Sequence, residues 1–150
     1  MDDLISLKEA LEKPGIGKHK KEIAEKFKGN LRVPLKWIRG WIGTDWHVME
    51  HKYLWLAAMN ACISRPNAPI YVIYQGLTKT DSDTFSAALE ACRGLKVPFV
   101  IILWWYSSYH PILKVAAVTV CINNSFVPGW FIKYVKTNAD PNLQSIVDQI

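Results

Sequence analysis

Apolar and polar positions along the chain alternate between two kinds of segment. Some follow the 3.6-residue period of an amphipathic helix. Ile23, Ala24 and Phe27 form one face of a helix predicted from about Lys18 to Lys28, and Gly29-Asn30 stops it. Ser6-Leu-Lys-Glu9 has the form of a capping box and predicts a short helix over Leu7–Glu12, ended by Pro14-Gly-Ile-Gly17. Leu54 to Ile63, rich in Leu, Ala and Met, predicts a further helix. Asp83 is the expected cap of a helix from Thr84 to Arg93, closed by Gly94. Behind Asp140-Pro141, the residues Leu143, Ile146, Val147 and Ile150 trace one helical face.

Other segments are short apolar runs without a helical period. Leu31–Ile42 reads as extended, with Pro34 marking an edge. Ile70–Tyr74, Phe99–Tyr106, Ile112–Ile122 and Trp130–Val135 read as strands. Trp46–Lys52 fits either a strand or the start of a long helix from Thr44. The order of these elements predicts an α/β fold, a mixed β-sheet flanked by helices, in a single domain over residues 1–150. No internal repeat and no low-complexity tract interrupts it.

Composition adds three points. At 150 residues, half of them hydrophobic and seven of them Trp, the chain is long enough for a real core. The odd set Cys62, Cys92 and Cys121 lies in apolar surroundings, which predicts buried thiols in a reducing, cytoplasmic setting. The apolar stretch from Val97 to Ile122 is broken by Ser107-Ser-Tyr-His-Pro111 and by Lys114. Neither half reaches the roughly 20 residues of a membrane span, so no membrane partner is expected.

Charge changes the picture more. From Lys13 to Arg39 there are nine basic residues and two acidic ones, a local excess larger than the whole-chain net of +5. Such a segment attracts polyanions, nucleic acid first. The candidate phosphate contacts are Lys18, Lys20, Lys21, Arg32, Lys36 and Arg39. Trp37, Trp41, Trp46, Tyr53 and Trp55 lie among these and neighbouring cations, a mixture that suits base stacking, although most Trp residues are core. Leu11-Glu-Lys-Pro14-Gly-Ile-Gly17 resembles the loop of a helix-hairpin-helix, whose backbone amides contact a DNA phosphate.

Beside the basic segment stands Asp45-Trp-His-Val-Met-Glu50-His-Lys52. Hard carboxylate oxygens suit Mg²⁺ or Mn²⁺, and a nearby cation can activate water or neutralise charge building on a phosphate. On a strand, Glu50 and Lys52 would share one face.

Gly17-Lys-His-Lys-Lys-Glu22-Ile-Ala-Glu-Lys-Phe27, Arg32-Val-Pro34, Gly43-Thr-Asp45 and Met49-Glu-His-Lys52 together resemble the PD-(D/E)xK nucleases, most closely their small resolvase-like members. The resemblance covers about residues 17–75. It implies a restriction-endonuclease-like core and metal-dependent endonuclease activity, with DNA expected before RNA as the nucleic-acid partner. It also implies a homodimer acting on two symmetric strands. Glu22 would match the helix acid, Asp45 the strand acid, and Glu50 and Lys52 the ExK pair. Asp45 and Glu50 would hold the metal, and all four residues would be catalytic. Four residues separate Asp45 from Glu50, a tighter hairpin than that family usually has.

Two other readings stay open. One is a non-catalytic nucleic-acid-binding protein, or a viral or regulatory interaction protein, using the same basic face. The other is a zinc peptidase. His47-Val-Met-Glu50-His51 resembles the inverted zinc-peptidase string, with two histidines on one helical face and Glu50 as general base. The zinc reading needs Glu50 on a helix; the nuclease reading needs it on a strand.

Overall fold

The computed structural model describes residues 2–14, 18–78, 81–122 and 124–150. Among them 66% of the chain is helical and there is no strand. The mixed sheet, and with it the restriction-endonuclease-like core, is thereby overturned. Ten helices appear among the described residues: α1 (Asp2–Glu12), α2 (Lys18–Glu25), α3 (Leu35–Ile42), α4 (Lys52–Cys62), α5 (Ile70–Leu77), α6 (Ser82–Ala91), α7 (Phe99–Ser107), α8 (Pro111–Val120), α9 (Gly129–Asn138) and α10 (Gln144–Val147). They group into two compact units, residues 1–91 and 92–150.

The segments expected as strands are all helices: Leu31–Ile42 contains α3, Ile70–Tyr74 opens α5, Phe99–Tyr106 is α7, Ile112–Ile122 is α8 and Trp130–Val135 lies in α9. A short apolar run fits a buried strand and a buried helix equally, because a helix apolar on every side loses its 3.6 period. Proline carries the signal that decides it. Pro34, Pro69, Pro98 and Pro128 each stand immediately before a helix with φ near −60° and extended ψ. A residue at that position needs a non-helical backbone and uses only its carbonyl, so the missing N–H costs nothing. The Pro34 carbonyl accepts from Trp37 N–H at 3.0 Å and that of Pro98 from Ile101 N–H at 2.9 Å. Pro34, expected to mark a strand edge, starts a helix.

In the first unit α4 is central. Every residue from Leu54 to Cys62 is buried, because α2, α3 and α6 pack around it, with α5 and α1 beyond. The anticipated inward face of α2 is present: Ile23, Ala24 and Phe27 are buried. Past Glu25 the chain tightens into i→i−3 bonds, and Gly29 closes it at φ +67°. Asn60 ties this end to α4: its side-chain amide donates to the Ala24 carbonyl at 3.1 Å, and its own carbonyl accepts from Gly29 N–H at 3.0 Å. The cap of α6 is Asp81, not Asp83; its carboxylate accepts from Thr84 N–H and Thr84 hydroxyl, both at 3.0 Å.

In the second unit α7 and α8 form a helical hairpin with Ile102, Trp105, Leu113 and Ala116 inside. Phe131 of α9 packs edge-on against Phe99 and Tyr106, at ring separations of 5.1 and 5.5 Å. Leu143 and Val147 at the C-terminal end are buried, and α10 packs on α8. All three cysteines are buried and unlinked; burial pushes the Cys62 thiol up to about 12 and Cys121 to about 11. No helix among the described residues is long and apolar enough to cross a membrane.

Candidate nucleic-acid interface

The basic segment spreads over the end of α1, α2, the turn after it and α3, and the fold sets two groups of its cations apart, while Lys13 and Lys26 stay exposed outside both. The first group is already engaged. Lys20 reaches back to the C-terminal end of α1, where its ammonium donates to the carbonyls of Ala10 at 3.0 Å, Leu11 at 2.7 Å and Lys13. Those carbonyls have no partner within their own helix, and three donors are all that an ammonium has. Burial lowers the Lys20 pKa; the carboxylate of Glu50 opposes that shift, while the charge of Lys13 adds to it. Lys21 pairs with Asp83 and Lys28 with Glu90, each at 3.3 Å. A groove of about 380 Å³ between α2, α4 and α6 is lined by Glu25, Asp83 and Glu90 against Lys28 alone, so this side of α2 faces an excess of acid.

The second group is free. Arg32, Lys36 and Arg39 are exposed and have no carboxylate partner among the described residues. Arg32 lies in the turn before α3, while Lys36 and Arg39 are one turn apart on it. Beside them runs a groove of about 570 Å³ between α1, α3 and α4, lined by Lys8, Lys36, Trp37, Gly40 and Trp41. Trp41 is buried, and its indole N–H donates to Glu12 at 3.0 Å. Trp37 is half-buried and carries the Lys8 ammonium 5.3 Å from its ring centre. Lys8, outside the sequence-predicted set, is itself paired with Glu12 at 2.8 Å, and Glu12 lines the same groove. The side chain of Lys18 and the loop residues 15–17, which carry the helix-hairpin-helix resemblance, lie outside the described residues.

The acidic candidates are placed differently from the expectation. Asp45 sits in the loop after α3, exposed, with its carboxylate accepting from His47 N–H at 2.9 Å. Its carbonyl accepts from His51 Nδ1 at 2.8 Å, which sets that ring nitrogen as a donor. Glu50 lies in a single 3₁₀ turn, Met49–His51, and Lys52 begins α4. On helical backbone, positions two apart do not share a face, so the strand geometry that would align Glu50 with Lys52 is absent. Glu22 is exposed on α2. Among the described residues no three His, Cys, Asp or Glu side chains converge to hold a metal ion. His47 is in a turn and His51 in the 3₁₀ segment, not on one continuous helix as the zinc-peptidase string requires.

Removing Lys20 tests this sorting. Lys20→Met should lower stability by about 1 kcal/mol through the orphaned α1 carbonyls, read as a lower thermal midpoint. Its effect on DNA affinity should stay below about twofold, since the group already has its partners. A loss matching that of Arg39→Glu would return Lys20 to the phosphate-binding set.

Comparison with protein-family models, with curated proteins and with solved structures returns no match.

Proposed function

We propose that this protein binds the phosphate backbone of nucleic acid, DNA before RNA, through the exposed face around α3, and does so without cleaving it. The observation that carries this reading is the set Arg32, Lys36 and Arg39: three exposed cations close together on α3 and the turn before it, without a carboxylate partner among the described residues, whereas Lys21 and Lys28 of the same segment are paired with acids. Trp37, half-buried between Lys8 and Lys36, adds an aromatic edge on which an unpaired base can stack. Cations that hold phosphates fix position and carry no sequence information, so the binding is largely sequence-independent.

The non-catalytic reading is preferred over the endonuclease because Asp45, Glu50 and Lys52 stand on a loop, a 3₁₀ turn and a helix start. The test is anisotropy with labelled duplex and single-stranded DNA across salt, together with incubation of branched, flapped and linear substrates in Mg²⁺. Three phosphate contacts predict a log–log salt slope of about −2.7 and about a 40-fold loss of affinity between about 50 and 200 mM salt. No retention at low salt would refute the binding reading. Cleavage that Glu50→Gln abolishes would replace it with the endonuclease.

A further inference from the structure

The second unit exposes apolar surface that its own packing leaves uncovered. On α7, Val100, Leu103, Trp104 and Ser107 lie at i, i+3, i+4 and i+7, so they share one helical stripe. Val100 is 73% and Trp104 60% exposed, while Ile102 and Trp105 on the opposite side are buried. On α9, Trp130 and Tyr134 form a second exposed stripe one turn apart, with Trp130 62% exposed. The two stripes are neighbours. Phe99 packs edge-on against Trp130 at 5.5 Å, and Tyr106 against Tyr134 at 6.2 Å. A groove of about 480 Å³ between them is lined by Leu103, Tyr106, Trp130 and Tyr134, with Lys114 at its side, 5.4 Å from the Tyr106 ring. Lys133, exposed on α9, flanks the same stripe. From residue 91 to residue 139 the chain has no Asp or Glu, against Arg93, Lys96, Lys114, Lys133 and Lys136.

We propose that this α7–α9 face docks on an anionic lipid bilayer surface, with Val100, Leu103, Trp104 and Trp130 entering the interface and Lys114 and Lys133 meeting the headgroups. Charge and side-chain type select this occupant. Indole rings beside lysines match the headgroup boundary, where an amphipathic ring sits half in the apolar region. A second copy of this chain would bring lysine against lysine, with no carboxylate lining the groove and Asp140, near Tyr106, as the acid at its edge. Single-stranded nucleic acid would use the rings and the lysines, but Val100 and Leu103 offer a base no π surface, whereas acyl chains take them up. The helix lies on the bilayer and does not cross it. Its nine residues rise about 14 Å, under half of a hydrocarbon core of roughly 30 Å. This face belongs to the second unit and the α3 cations to the first, and the proposal does not rest on the nucleic-acid reading.

The test is co-sedimentation of the full chain with vesicles of phosphatidylcholine alone and of phosphatidylcholine mixed with phosphatidylserine. Binding should require phosphatidylserine and should come with a blue shift of tryptophan emission. Trp104→Ala should weaken partitioning about tenfold, the loss of one buried large side chain. Lys133→Ala should weaken it about fivefold, one headgroup-facing cation. Val100→Glu should abolish it, and circular dichroism confirms that the variant is folded. If Val100→Glu fails to fold, Trp104→Ser takes its place. Arg39→Glu should leave the dependence on Val100 and Trp104 intact, which separates this face from general attraction of the basic segment. The proposal is overturned if neither vesicle type retains the protein, or if Trp104→Ala and Val100→Glu partition like the wild type. It is also overturned if the same substitutions abolish single-stranded DNA binding or a dimer in vesicle-free solution while leaving vesicle binding unchanged.

Discussion

Changing Arg32, Lys36 and Arg39 together to glutamate should weaken DNA binding by two orders of magnitude or more and flatten its salt dependence. Each cation that neutralises a phosphate contributes about 0.9 to the log–log salt slope, so losing all three should bring the slope from about −2.7 towards zero. Reversal also places carboxylates where phosphates would sit, adding repulsion to the lost attraction. All three side chains are exposed, and none has an ion-pair partner among the described residues, so the thermal midpoint should hardly move. The matched control is Lys21→Glu with Lys28→Glu. It reverses two charges in the same basic segment, yet both side chains are paired with acids of α6, Asp83 and Glu90. If the control weakens binding as much as the triple variant, the segment acts as a diffuse field and the α3 face has no special part. If the triple variant binds like the wild type, the proposed interface is wrong.

The second large effect concerns the fold itself. Phe27→Ala should destabilise the first unit by about 3–5 kcal/mol, a large share of the total stability of a typical domain. Phe27 is fully buried, and its ring meets that of Trp41 edge-on at 5.3 Å, joining the turn after α2 to α3. Truncation removes apolar area from the core and leaves a space that the flanking helices cannot close, because Asn60 holds the end of α2 against α4. Chemical denaturation read by circular dichroism should show a lower midpoint with little change in slope. A cost below about 1 kcal/mol would mean that the α2–α3 junction is looser than described, and the positions of Arg32 and Lys36 would be in question with it.

Several features were legible in the residues alone because they depend on local chemistry. The apolar face of α2 follows from Ile23, Ala24 and Phe27 falling on one side of a helical turn. Gly29 and Gly94 both adopt positive φ where helices end, the backbone that glycine enters without strain. Leu54–Cys62 is helical and buried on all sides, with Ile63 just past the helix end, and Leu143 and Val147 turn inward behind Asp140-Pro141. The cysteines are buried, as their apolar neighbours indicated.

Tertiary structure alone decided the rest. Phe99–Tyr106 and Ile112–Ile122 are apolar at nearly every position, so neither a period of two nor one of 3.6 stands out. A backbone buried by helical neighbours or by strand neighbours satisfies such a run equally. The prolines ahead of α3, α5, α7 and α9 carried a helix-start signal, but the same residue also marks sheet edges, and packing chose between them. Burial could not be assigned within α7 either: Trp104 faces out and Trp105 in, adjacent residues of one type separated only by the rotation of the helix. Among the cations, sequence distance hid the answer. Lys21 and Lys28 meet acids far along the chain, and Lys20 meets the end of a different helix. Net charge along a segment counts every cation alike. Only the folded chain distinguishes Lys20, Lys21 and Lys28, which have partners, from cations such as Arg32, Lys36 and Arg39, which have no carboxylate partner among the described residues.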